Sequence, residues 1–187
     1  ITGSDLETAT IVSILDPEDE DDELGGNITL SATSLISATI SGVPAAISFT
    51  GASDLEEVTI SGSASSITFN GNSSLTDVAI TSAVTGAVTV NNSDNLIALD
   101  LAYTVAEGED GTNGSLVITG NAKLASVKAS KIDNLGTLTI TGNEDLSSIS
   151  FAGLADVNDD DADVTVTIGG AGAGDKNNLS ASKVEDT

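Results

Sequence analysis

The chain has 187 residues, 39% of them hydrophobic, and carries 29 acidic residues against 5 lysines for a formal charge of -24. That much apolar material can bury a core and excludes a disordered chain, while the charge excludes nucleic acid as a partner, because neutralising phosphates takes Lys and Arg. Cys, His, Arg, Met and Trp are all absent, which removes disulfides, thiolate metal sites and most nucleophile–base pairs.

Abundant Ile, Val, Thr, Ser, Asn and Gly with only two prolines favour short strands joined by turns, so an all-β fold is expected. No stretch approaches the roughly 18 apolar residues of a membrane span. The N-terminus lacks a signal-peptide pattern and the chain has no methionine, so it reads as a processed or excerpted polypeptide.

In chain order, residues 1–27 form a divergent first rung. ITGSDLETATI from Ile1 opens partway through a strand pattern, and the acidic insertion DPEDEDDE follows from Asp16. Residues 28–151 then repeat one unit. ISFTGASDLEEVTI from Ile47, ITFNGNSSLTDVAI from Ile67, LVITGNAKLASVKA from Leu116 and LTITGNEDLSSISF from Leu138 each hold an apolar-x-apolar strand, a Gly-Asn-like corner, a leucine and a second alternating pair. The leucine recurs at Leu6, Leu35, Leu55, Leu75, Leu96, Leu124, Leu146 and Leu179. Three and five positions after it stand pairs such as Val58 and Ile60, Val78 and Ile80, Leu99 and Leu101, and Ile149 and Phe151, whose alternation puts both side chains on one inward face. Residues 152–187 form a divergent last rung in which Leu179 and Val184 read as its second half.

A minimal period of about 20 to 22 residues is too short for a helical hairpin and suits a coil with two or more short strands. The expectation is therefore one domain over 1–187, a parallel β-solenoid of about eight rungs of roughly 20–33 residues. The longer rungs contain DPEDEDDE, AEGEDGTN from Ala106 and NDDDAD from Asn158, each after a second strand, so these insertions should project from one edge. The corners Gly71-Asn72, Gly120-Asn121 and Gly142-Asn143 suit a turn, with Asn bonding nearby backbone or stacking in a ladder.

The L-x-I-x-G-N-x-x-L-x-x-I units resemble the leucine-rich, receptor L-domain-like repeats of extracellular and cell-surface proteins. The resemblance covers Ile28 to Phe151 and implies an extracellular or cell-surface solenoid with no reaction attached.

Candidate sites follow from the pattern. The outward positions of the first strand form a column of Thr29, Ser48, Thr68, Thr89, Val117, Thr139 and Thr167, flanked by Ser31, Thr50, Asn70, Asn91, Thr119 and Thr141. Of these, Thr29, Ser48, Thr68, Thr89, Thr139 and Thr141 are the candidate binding residues for ice or polysaccharide, because a flat array of hydroxyls and methyls can order water. Asp19, Asp21, Asp22, Glu109, Asp110, Asp159, Asp160 and Asp161 are candidate Ca2+ ligands, since calcium takes six to eight oxygens and dense like charges repel unless screened. None of the three loops matches a defined calcium motif. No catalytic residue is assigned. Lys123, Lys128 and Lys131 read as a solvated group pairing locally, for instance with Asp133, and sequons occur at Asn27, Asn72, Asn91, Asn113 and Asn178.

The functional expectation is a non-enzymatic structural or adhesive module that associates end to end, as a filament subunit or as part of a longer repeat protein. The alternative is a surface binder acting through the Thr/Ser/Asn face.

Overall fold

A computed structural model describes residues 5–13, 26–42, 45–102, 104–105, 114–130, 135–152 and 165–169. These residues contain no helix. They form two parallel sheets around one apolar interior, so the chain is an all-β parallel β-solenoid of stacked coils.

The first sheet contains β2 (Ile28–Leu30), β4 (Ala46–Thr50), β6 (Ser66–Asn70), β8 (Ala87–Asn91), β11 (Gly114–Thr119), β13 (Leu135–Thr141) and β15 (Thr165–Gly169). The second contains β1 (Thr8–Ser13), β3 (Ser37–Gly42), β5 (Glu57–Ala64), β7 (Asp77–Val84), β9 (Ala98–Leu101), β12 (Ser126–Ser130) and β14 (Ser148–Ala152), with the short β10 (Thr104–Val105) also beside β7. The chain alternates between the sheets. The described residues thus make six strand pairs, β2/β3 through β13/β14, with β1 and β15 as further single strands. That is fewer than the eight rungs expected, and the proposed eighth leucine, Leu179, lies outside the described residues.

Alternation decides which side chains go inside. In a strand every second residue faces one way, so Ile47/Phe49, Ile67/Phe69 and Val88/Val90 point inward from the first sheet, and Ala38/Ile40, Val58/Ile60 and Val78/Ile80 from the second. Parallel pairing in strict register stacks like on like. Ile47 pairs with Ile67, and Phe49 with Phe69, whose rings lie 4.9 Å apart and parallel to within 1°. Leu35, Leu55, Leu75, Leu96 and Leu124 are each 0% exposed and form the third wall. Each anchors a four-residue turn in which the leucine N–H donates to the carbonyl three residues earlier, as in Leu75 to Asn72 at 3.2 Å and Leu124 to Asn121 at 3.1 Å.

The corner glycine has a positive φ at Gly51, Gly71, Gly120 and Gly142, and in the turn that leads to Leu96 Asn92 adopts φ 52 in its place. Gly tolerates that region freely, and Asn is the side chain that best replaces it. A second glycine requirement was not anticipated from the repeat. Strands β5 and β7 run on around a corner, and there Gly62 (φ +107) stacks on Gly42, so that a Cβ on Gly62 would sit 2.0 Å from the Gly42 carbonyl oxygen. The blocking atom is backbone and cannot swing aside. Gly62→Ala is therefore expected to lower the urea midpoint by about 2 kcal/mol or more in stability, from the strained φ and the forced separation of two turns. An unchanged midpoint would refute the close approach.

Candidate functional site: an uncharged sheet face

The register aligns the expected column. Thr29 pairs with Ser48, Ser48 with Thr68, Thr68 with Thr89, Thr89 with Val117, Val117 with Thr139, and Thr139 with Thr167. Two places along, Thr50, Asn70, Asn91, Thr119 and Thr141 make a second column. A third column escaped the sequence reading: Ala46 pairs with Ser66, Ala87 with Ser115, Ser115 with Thr137, and Thr137 with Thr165. Small residues on a strand give little signal until their neighbours are known. All six candidate binding residues therefore lie on one sheet face, five of them in the central column and Thr141 in the flanking one.

The columns form a grid of about 4.7–4.9 Å between strands and about 6.6–6.8 Å between alternate residues of a strand. Polar side chains tie the flanking column together across turns. Asn92 Nδ2 donates to Asn70 Oδ1 at 3.3 Å, and Thr119 Oγ1 donates to Asn91 Oδ1 at 2.5 Å. Ser48 and Thr50 share a hydroxyl contact at 3.2 Å within one strand. Such contacts restrict rotamers and hold the array stiff.

Charge separates the faces. The seven strands of the first sheet contain no charged residue, in a chain whose formal charge is -24. The outer face of the second sheet instead carries Glu57, Asp77 and Asp100 around a shallow groove, with Lys128 Nζ 3.3 Å from Asp100. Both members of that ion pair are more than half exposed, so it adds little stability. Lys128 thus reaches back to the preceding turn, while Asp133 and Lys131 lie outside the described residues. Lys123 Nζ likewise reaches back a turn to Asn95 Oδ1 at 2.7 Å.

The corner asparagines do more than turn the chain. Asn72, Asn121 and Asn143 are buried, and each spans to the turn before it. Asn121 Oδ1 accepts from Ser93 N at 2.9 Å while its Nδ2 donates to Val90 O at 2.9 Å. Asn143 repeats this toward Asn121 N and Ile118 O, and Asn72 toward Ala52 N and Phe49 O. A buried side chain with both an acceptor and a donor is required there, which is why Gly-Asn recurs. Burial also takes Asn72 out of play as a glycosylation acceptor, whereas Asn27 is exposed.

The candidate calcium ligands Asp19, Asp21, Asp22, Glu109, Asp110, Asp159, Asp160 and Asp161 all lie outside the described residues. Among the described residues no group of three or more acidic side chains is placed to hold a metal ion. Among the described residues there is no helix long and apolar enough to cross a membrane. Compared with family models, curated proteins and solved structures, the chain matches none. What the fold and this face define is a parallel β-solenoid with one uncharged side.

Proposed function

We propose that this chain is a non-enzymatic structural or adhesive module of the cell surface or extracellular space, akin to the leucine-rich, L-domain-like repeats. Its stacked turns act as a stiff spacer, and its first sheet acts as the contact surface. The observation that carries this reading is the segregation of charge: 29 acidic residues are distributed so that seven adjacent strands carry none. Exposed strands ordinarily accept Lys and Glu, and a charge-free side on so acidic a chain suits a partner that brings no charge of its own. An inventory without His, Cys or Arg supports the non-enzymatic part of the reading.

A second reading is favoured by the grid itself. Threonine supplies a hydroxyl and a methyl at each point of a rigid, repeating array, which suits an ordered lattice of water or of sugar hydroxyls. Phe49 and Phe69 are 0% exposed, so neither offers the aromatic platform that sugar binding often uses, and ice is the better-fitting of the two.

The test is co-sedimentation with insoluble neutral polysaccharides, alongside partition into a slowly growing ice front. We expect retention on one of these, and a loss of about tenfold or more in Thr68→Glu/Thr89→Glu/Thr139→Glu, because burying unpaired carboxylates costs well above the ~1.4 kcal/mol that a factor of ten represents. Retention equal in parent and variant would remove the face from the function. No retention on any surface would leave the spacer role alone.

A further inference from the structure

Three residues before each buried corner leucine stands a column that reads Ala52, Asn72, Ser93, Asn121 and Asn143 along the stack. Each Asn in it makes the same two bonds to the turn before. The amide oxygen accepts the N–H of the preceding column residue, and the amide nitrogen donates to the carbonyl three residues earlier in that turn. Asn72 serves Ala52 N and Phe49 O in this way, Asn121 serves Ser93 N and Val90 O, and Asn143 serves Asn121 N and Ile118 O. The one pair that the series skips is Asn72 N and Phe69 O, because the residue stacked on them is Ser93.

Ser93 is shorter than Asn by most of an amide group, and its hydroxyl reaches only Asn91 O of its own turn, at 3.5 Å. Among the described residues no acceptor meets Asn72 N. Asn72 and Ser93 are both 0% exposed, so bulk solvent does not reach this N–H. A buried N–H without an acceptor is rare and costly. The two turns cannot close up to relieve it, because bonds on both sides of the joint hold them apart: Gly71 N to Asn91 O at 3.1 Å, Asn92 Nδ2 to Asn70 Oδ1 at 3.3 Å, Asn95 Nδ2 to Ser73 O at 2.6 Å and Ile97 N to Thr76 O at 3.3 Å. The joint therefore keeps the spacing of those that Asn fills, and a hydroxyl in place of a carboxamide leaves room for about one water, whose share of liquid volume is about 30 Å3.

Chemistry selects the occupant. It must accept from Asn72 N and donate to Phe69 O, as the Asn carboxamide does in the other turns. A metal cation cannot accept from an N–H, and a bare anion cannot donate to a carbonyl. Water does both, and Ser93 Oγ gives it a third partner, the usual number for a buried water.

We propose that the joint between Ser93 and Asn72 is a binding site for one internal water, bonded to Asn72 N, Phe69 O and Ser93 Oγ. The water stands in for the missing carboxamide and carries the inter-turn ladder through the middle of the stack, so that the turns on either side remain one rigid unit. The hydroxyl is what suits serine to this position, since alanine would leave the water only two partners. This site lies in the interior and does not depend on the function proposed for the uncharged face.

The test is a high-resolution crystal structure of the full chain, paired with water–amide NOE measurements in solution. The wild type should show one ordered water within hydrogen-bonding distance of all three atoms. Its Asn72 N–H should give an NOE to a water that tumbles with the protein, and Asn121 N–H, bonded to Asn143 Oδ1 at 3.0 Å, should give none. In Ser93→Asn the carboxamide should occupy the water's position, with the Asn72 NOE lost. If that variant does not fold, the wild-type density and NOE decide by themselves. A wild-type structure with Asn72 N on a protein acceptor, or with no water density at the joint, would overturn the proposal. So would an Asn72 NOE that persists unchanged in folded Ser93→Asn.

Discussion

Asn121→Ala is expected to destabilise the fold by about 2–6 kcal/mol, because two buried backbone groups lose their partners and each orphaned group costs about 1–3 kcal/mol. The groups are Ser93 N and Val90 O, 2.9 Å from the amide oxygen and nitrogen of Asn121. Both belong to the preceding turn, so the bond joins turns and does not merely close a corner. The bond from Asn121 Nδ2 to Asn143 Oδ1, at 3.1 Å, is lost as well. At position 93 of the same column the experiment can be run in reverse. Ser93 is too short to span a turn, and its hydroxyl reaches only Asn91 O of its own turn at 3.5 Å. Ser93→Asn should extend the ladder toward Asn72 and raise the unfolding midpoint. Urea melts of both variants check this, and an Asn121→Ala midpoint equal to the parent's would mean that water replaces the side chain.

Leu75→Ala should cost about 2–5 kcal/mol, from lost burial plus the cavity that stays behind. Leu75 is 0% exposed and sits mid-column between Leu55 and Leu96, which are also 0% exposed. The backbone on either side is held by inter-turn bonds such as Thr76 N to Glu56 O at 2.9 Å, so the turns cannot slide inward to fill the gap. The same truncation at Leu6, which is only partly buried, should cost clearly less. Denaturant midpoints of the two variants measure the difference, and equal losses would contradict the burial gradient along the stack.

The strand pairs and their inward residues were legible because a solenoid repeats one local pattern, so the same alternation is written several times. Val58/Ile60, Val78/Ile80 and Leu99/Leu101 all face the core as the spacing after each leucine required. The Thr column was legible for the same reason: an outward position between two inward ones has a definite side. The Gly62–Gly42 contact was not, because it depends on how far apart two turns stack, and neither glycine announces its neighbour. The inter-turn role of Asn121 was also hidden. Asn after Gly fits an ordinary turn equally well, and only the position of the preceding turn tells which bonds it makes.

By itself the sequence determined the repeat, the alternation of inward and outward residues, and the chemistry available, since these depend on residue order and side-chain type along a strand. Only the tertiary structure decided the rest. It aligned three columns into one uncharged face, directed Lys128 to Asp100 and Asn121 to Ser93 across turns, and left Leu6, Ile11 and Ile28 partly open at one end. The physical reason is distance along the chain. Neighbours on adjacent turns are separated by twenty or more residues, as Asn72 Oδ1 and Ala52 N are by 20, and it is the parallel register between turns that brings them within hydrogen-bonding reach.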